Sequence, residues 1–169
     1  RDVRIDQIKH MSWKLNFASK ARLPEEEAID EQFGKLGIKP RDLDYVFLTH
    51  LDVDHASGLE LVKEAKHIMT SKEELEAAQK GDIRYSDRFW NGVNLEPFEM
   101  KVSSYGPFGR SYDVFGDESV LLIDVAGHTK GTSLVMVQNQ GQFVLLTGDT
   151  GYAKESWEEL RLPGPVDDK

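Results

Sequence analysis

The sequence predicts a layered α/β fold with a mixed sheet. Helical and strand patterns alternate over roughly the first eighty residues, and three strand patterns then follow one another with no helix between them. Size agrees, since a chain of 169 residues can bury roughly 70% of the surface it exposes when unfolded, enough for one core. No repeat, low-complexity tract or Gly/Ser linker divides the chain, so residues 1–169 read as a single domain.

Residues 1–23 carry no clear pattern. Pro24 suits a first helical position, and Glu25, Glu26 and Glu27 complement the positive end of a helix. Ile29, Phe33 and Leu36 fall at i, i+4 and i+7 as one buried stripe, and Gly37 stops the helix. Tyr45-Val46-Phe47-Leu48-Thr49 is apolar, aromatic and β-branched, hence a buried strand. It delivers His50 to a loop that runs to His55, and residues 56–66 are expected to be helical. Residues 67–70 form a brief strand. Ser71 and Glu74 then have the spacing of a capping box that opens a helix to about Lys80.

Residues 119–125, 133–139 and 142–147 are the three consecutive strands, the last two joined by a hairpin at Asn139-Gln140-Gly141. The stretch before them, 81–118, holds eight of the sixteen aromatics together with five glycines and two prolines. That mixture excludes a long regular element. Its rings must pack on the domain's own flank or on a ligand.

Thirty acidic against twenty-one basic residues leave a net charge of −9, which argues against nucleic acid or an anionic membrane as the main partner. Phosphate substrates stay open, because a metal can supply the missing positive charge. The absence of cysteine excludes disulfides, a thiol nucleophile and a thiolate-held metal, leaving nitrogen and oxygen ligands. No run approaches the roughly 18 apolar residues of a membrane span. Arg1-Asp2-Val3-Arg4 does not look like a secretory signal, so a cytoplasmic protein is expected. Walker A, G-x-S-x-G and dinucleotide fingerprints are missing, which leaves kinase, serine-esterase and dehydrogenase readings without support.

The chemistry concentrates where the first strand ends. His50, Asp52, Asp54 and His55 are four potential ligands within six positions. Alternation along an extended chain points His50, Asp52 and Asp54 one way, and His55 follows as the chain turns into a helix. Converging without cationic neighbours, such groups repel and are costly to desolvate, and a bound cation relieves that cost. The competing reading is a solvated acidic turn with two surface histidines. Gly127-His128-Thr129-Lys130-Gly131-Thr132 and Gly148-Asp149-Thr150-Gly151-Tyr152 each place one ligand-type residue just past a strand, between glycines that allow tight turns. Three such loops would gather His50, Asp52, Asp54, His55, His128 and Asp149 around two ions, and this donor chemistry suits zinc, iron or manganese. His10 and His67 lack ligand-rich neighbours and read as structural or surface residues. Residues 106–111 offer either a nest with a cation for an anionic substrate or a turn stapled by Arg110.

These ordered motifs resemble the metallo-β-lactamase-fold hydrolase superfamily, over residues 24–163. Within it the sequence is most similar to the N-acyl-homoserine lactonase-like branch, in which a tyrosine three positions after the aspartate precedes Lys-Glu and an aromatic. Here these are Asp149, Tyr152, Lys154, Glu155 and Trp157. The resemblance implies an αββα sandwich with a two-metal site: His50, Asp52 and His128 on the first metal, Asp54 and His55 on the second, Asp149 bridging. It implies a metal-dependent hydrolase of a small-molecule lactone or ester, with hydroxide held by two divalent ions, zinc foremost. Tyr152 would donate to the developing oxyanion and Asp54 would protonate the leaving alkoxide. Tyr152 also reads as an ordinary packed tyrosine.

Three departures from the pattern matter. Asp52 stands where most members have histidine, Thr132 stands where many have a second loop histidine, and no histidine follows His128. The family supplies a late histidine to its second metal, so the domain is expected to be incomplete at its C-terminus and possibly its N-terminus. Asp52 also changes the charge. Two divalent ions, three aspartates and a hydroxide make a neutral cluster, whereas histidine at position 52 would leave it at +1. A neutral cluster activates water less, and the extra carboxylate moves preference towards iron or manganese. Flavodiiron reductases of this superfamily also carry a carboxylate here, so a di-iron redox enzyme is the alternative. A metal-bound, non-catalytic binding module is the third reading.

Overall fold

In a computed structural model, residues 4, 6–18, 22–82 and 84–159 are described. They divide into two units: 1–69 with 81–96, and 70–80 with 97–169. Among the described residues no helix is long and apolar enough to cross a membrane.

The first unit opens with α1 (Gln7–Ala18), in a stretch without a readable pattern. His10 and Met11 on this helix are buried, and the His10 ring lies 5.2 Å from Phe89, which fits the structural role expected of His10. The helix expected from Pro24 begins instead at Ile29, as α2 (Ile29–Lys35). The reason is a local cap: the Glu31 carboxylate accepts from the Ala28 backbone N–H at 3.1 Å, fixing the first turn there. The expected buried stripe also fails, since Ile29 is 44% and Leu36 72% exposed. Gly37 does stop the helix. It sits at φ 69°, and Ile38 N–H reaches back to Phe33 O at 2.9 Å, as in a Schellman closure.

Strand β1 (Tyr45–Phe47) pairs in parallel with β2 (His67–Ser71), Tyr45 opposite His67 and Phe47 opposite Met69. With β3 (Leu95–Phe98) they form a sheet of order β1-β2-β3. The helix expected over 56–66 is two short ones, α3 (Val53–Ala56) and α4 (Leu59–Val62), broken at Ser57-Gly58. His67 meets the Glu96 carboxylate at 3.1 Å and stacks on Tyr45, as befits a structural or surface histidine.

The second unit is built on β6 (Val120–Asp124), whose Leu121, Leu122 and Ile123 are nearly inaccessible to solvent. A continuous apolar run is what a strand covered on both faces requires. Antiparallel neighbours complete the order β4-β5-β6-β7-β8: β4 (Lys101–Val102), β5 (Arg110–Asp113), β7 (Ser133–Asn139) and β8 (Gln142–Leu146). Leu121, Ile123, Leu134 and Met136 form a core cluster that Tyr105 and Val125 join. The β7–β8 hairpin turns on Gln140 (φ 50°) and Gly141 (φ 78°), the paired left-handed residues of a type I′ turn. Strand β8 is the exposed edge, with Phe143 63%, Val144 60% and Leu146 56% exposed.

Segment 81–118 is richer in strand than its glycines suggested, contributing β3, β4 and β5. Its rings divide: Phe89 and Phe98 are buried, Phe98 stacking on Tyr112, while Phe108 and Phe115 are exposed. Arg110 does not staple a turn. It lies on β5, bonded to Glu73 and 3.2 Å from Asp124, and the Glu73 carboxylate raises its pKa above the ordinary arginine value. Helix α5 (Lys72–Gln79) begins where Ser71 predicted, with the Ser71 hydroxyl accepting from Glu74 N–H at 3.1 Å. Helix α6 (Lys154–Glu158) ends the described chain, so positions 160–163 of the family resemblance lie outside the described residues.

Candidate metal centre

In the first unit, β1 hands the chain to His50, which is fully buried. The Thr49 hydroxyl lies 3.0 Å from its Nδ1, and the Asp52 carboxylate lies 3.7 Å from its Nε2. Asp52 is the N-cap residue of α3, with extended backbone, yet its carboxylate makes no cap hydrogen bond. This departs from what an N-cap aspartate ordinarily does. The carboxylate is drawn elsewhere, with Oδ2 beside His50 and Oδ1 3.1 Å from Arg84 Nε. The acidic cluster therefore has the cationic neighbour that sequence reasoning did not find.

Alternation along an extended strand stops at Asp52, because the chain turns helical at Val53. His55 thereby comes back onto His50, ring centroids 4.0 Å apart, while the Asp54 side chain stays 76% exposed with Oδ2 3.8 Å from His55 Nε2. His50, Asp52 and His55 are brought together as expected. Asp54 joins them through His55 from the solvent side.

The second unit repeats the same bracket. His128, buried between β6 and β7, has the Tyr152 hydroxyl 3.3 Å from its Nδ1 and the Asp149 carboxylate 3.6 Å from its Nε2. Asp149 sits in a single 3₁₀ turn after β8, where Thr150 N–H and hydroxyl both return to Thr147 O. Tyr152 is 52% exposed and meets His128 edge-on, so it is no core tyrosine.

These separations suit a cation. An N–H···O hydrogen bond is about 2.7–3.2 Å long, and the three Nε2–carboxylate gaps of 3.6, 3.7 and 3.8 Å are all longer. Two ligands at about 2.0–2.2 Å from one tetrahedral metal lie about 3.3–3.6 Å apart, within a few tenths of an ångström of what is seen. The hydroxyls complete the fit. A partner on Nδ1 fixes the ring orientation and leaves Nε2 as the ligating atom.

A buried network sets the loop that carries His128. Glu74, fully buried, turns its carboxylate away from its own helix terminus. Its Oε2 accepts from the Thr129 hydroxyl at 2.6 Å and from Gly131 N–H at 3.1 Å. Thr132 closes the loop from within, its Oγ1 accepting from Thr129 N–H at 2.8 Å and lying 2.6 Å from the Thr129 hydroxyl. The Ser71 hydroxyl donates to Gly131 O at 2.8 Å. Gly131 packs so closely that a Cβ there would lie 2.2 Å from Glu74 N, a distance no side chain tolerates. Thr132, which stands where many members of the family have a second loop histidine, thus supports the loop through its hydroxyl. The Ser71/Glu74 spacing announced the cap but gave no sign of this second duty.

With its motifs and fold laid out, the chain can be placed: it belongs to the metallo-β-lactamase superfamily, whose pattern it matches over residues 17–168. Among named relatives it is 32% identical over 148 residues to the N-acyl homoserine lactonase AttM of Azorhizobium caulinodans, covering 83% of this chain and 53% of that one. It is 30% identical over 139 residues to an N-acyl homoserine lactonase of Bacillus cereus, covering 82% and 50%. Among solved structures it resembles an N-acyl homoserine lactone hydrolase with N-hexanoyl-L-homoserine bound at its catalytic metal center. That likeness has a TM-score of 0.68 at 27% identity and covers 82% of this chain and 51% of that one. The chain spans about half the length of the curated relatives it matches. The fold class expected from the sequence, α/β of the metallo-β-lactamase type, is borne out, as is the likeness to the lactonase branch.

Proposed function

We propose that this chain carries the site of a metal-dependent hydrolase that opens a small lactone or ester, an N-acyl homoserine lactone being the first substrate to test. The observation that carries the reading is the bracket found in each unit: a buried histidine with a hydroxyl at Nδ1 and a carboxylate 3.6 or 3.7 Å from Nε2. The similarity to named lactonases supports the substrate class.

The ligand assignment follows the motif order. On that order His50, Asp52, Asp54, His55, His128 and Asp149 are the residues that would hold the pair of ions. When bound, a pair of divalent ions supplies a hydroxide nucleophile at neutral pH and a Lewis acid for the carbonyl. The chain's own groups do the rest. With Nε2 of His128 given to a metal ion, its Nδ1 would carry the proton and donate to the Tyr152 oxygen. The phenol keeps its own proton to donate to the developing oxyanion, a contact of the kind worth ~3 kcal/mol. Asp54, open to solvent at the start of α3, would take up the proton that the attacking hydroxide brings and pass it to the departing alkoxide.

The test is elemental analysis of the purified chain, followed by hydrolysis of lactone, ester and phosphodiester panels with and without chelator. Bound divalent metal and lactone opening that chelator abolishes and added metal restores are the expected results. A chain free of metal, or turnover indifferent to chelator, overturns the reading. Iron with oxygen reduction and no hydrolysis would point to the di-iron alternative.

A further inference from the structure

The geometry points to Arg84 as a positioning residue for the metal centre: paired with Asp52, it returns to the site the positive charge that aspartate in place of histidine removes. This rests on the metal-centre reading above and deepens it.

Four observations carry the inference. Arg84 Nε lies 3.1 Å from Asp52 Oδ1, and the two side chains are only 20% and 12% exposed, so solvent screens the pair little. The other oxygen, Oδ2, is the one 3.7 Å from His50 Nε2, so the carboxylate is divided between a cation on one side and the ligand position on the other. Asp52 gives up the cap hydrogen bond its place on α3 offers. Finally, the backbones of Asp52 and Tyr85 form an antiparallel bridge, which fixes Arg84 beside Asp52 through the main chain.

The electrostatic consequence is simple. A neutral histidine contributes no charge, and neither does an Asp–Arg pair. A ligating carboxylate whose second oxygen is held in an ion pair is also oriented and restricted to one oxygen for the metal. Asp52 with Arg84 therefore does what histidine alone does elsewhere, and the neutral, weakly activating cluster expected from Asp52 alone does not arise.

The test is a charge swap read by Co(II) binding to the 169-residue chain, with chelator competition for affinity and the visible d–d bands for ligand geometry. Arg84→Met is expected to weaken Co(II) binding by about 10- to 100-fold, as loss of a ligand's supporting partner does. Arg84→Lys, which keeps the charge, recovers most of that loss. Asp52→His alone also weakens binding, because it leaves the guanidinium beside a dication with no carboxylate between them. Asp52→His with Arg84→Met then binds within about threefold of wild type, a strong positive coupling between neighbours. A double variant no tighter than Asp52→His overturns the proposal while leaving the metal site standing. So does an Arg84→Met chain that binds like wild type. A wild-type chain that takes up no Co(II) removes the metal-centre reading itself, and this inference with it.

Discussion

Glu74 and Thr129, 55 positions apart, are joined by a 2.6 Å hydrogen bond in which the hydroxyl of the His128 loop donates to a fully buried carboxylate. With Gly131 N–H on the same oxygen, one side chain of α5 organises the loop between β6 and β7. Glu74→Ala deletes both bonds, strands the buried Gly131 N–H and opens a cavity, costing about 3 kcal/mol. Glu74→Gln keeps the volume and one acceptor, and should cost about half as much. Urea unfolding midpoints check the order; an Ala variant as stable as wild type would refute the network's role.

Tyr152→Phe removes the hydroxyl at His128 Nδ1 from a half-exposed ring, so stability should hardly change. Metal affinity should fall by about tenfold and lactone turnover by about a hundredfold. A variant equal to wild type in both would make Tyr152 a bystander.

Metal removal should cost stability as well as turnover, since ions that bind only the folded chain stabilise it by mass action. At a free metal concentration of 100 times Kd the effect is about 2.7 kcal/mol, or about 5–10 °C for a chain of this size. Calorimetry with and without EDTA reads this. Coincident melting curves would speak against ligation.

Strand β8 closes one edge of its sheet and presents Phe143, Val144 and Leu146 to solvent. Open edges with apolar side chains template association. Val144→Lys with Leu146→Lys should lower light scattering of concentrated solutions at unchanged helix and strand content. Equal scattering by both chains would show that this edge does not drive association.

Much of this molecule is legible in sequence wherever a pattern is local. Ser71 announces α5, the run 119–125 announces β6, and Asn139-Gln140-Gly141 announces a hairpin, because caps, continuous burial and turn residues each leave a short signature. The Pro24 helix misleads because a cap at Ala28, built from Glu31, outweighs a favourable proline. His50, Asp52 and His55 are readable from their spacing. Arg84 is not, since a partner 32 positions away leaves no periodicity to detect, and its neighbour Tyr85 reads only as one aromatic among many. Glu74 shows the complementary difficulty: its position is predicted, but its side chain serves a loop that only tertiary structure brings near.

The 2.2 Å approach at Gly131 has a bearing on how this protein can be reshaped. Randomising positions 127–132 would leave residue 131 monomorphic in every surviving clone, whereas exposed Lys130 next to it would accept broad diversity. The loop thus offers an engineer one adjustable handle beside a locked hinge pin, and new specificities grafted there would have to be written at Lys130.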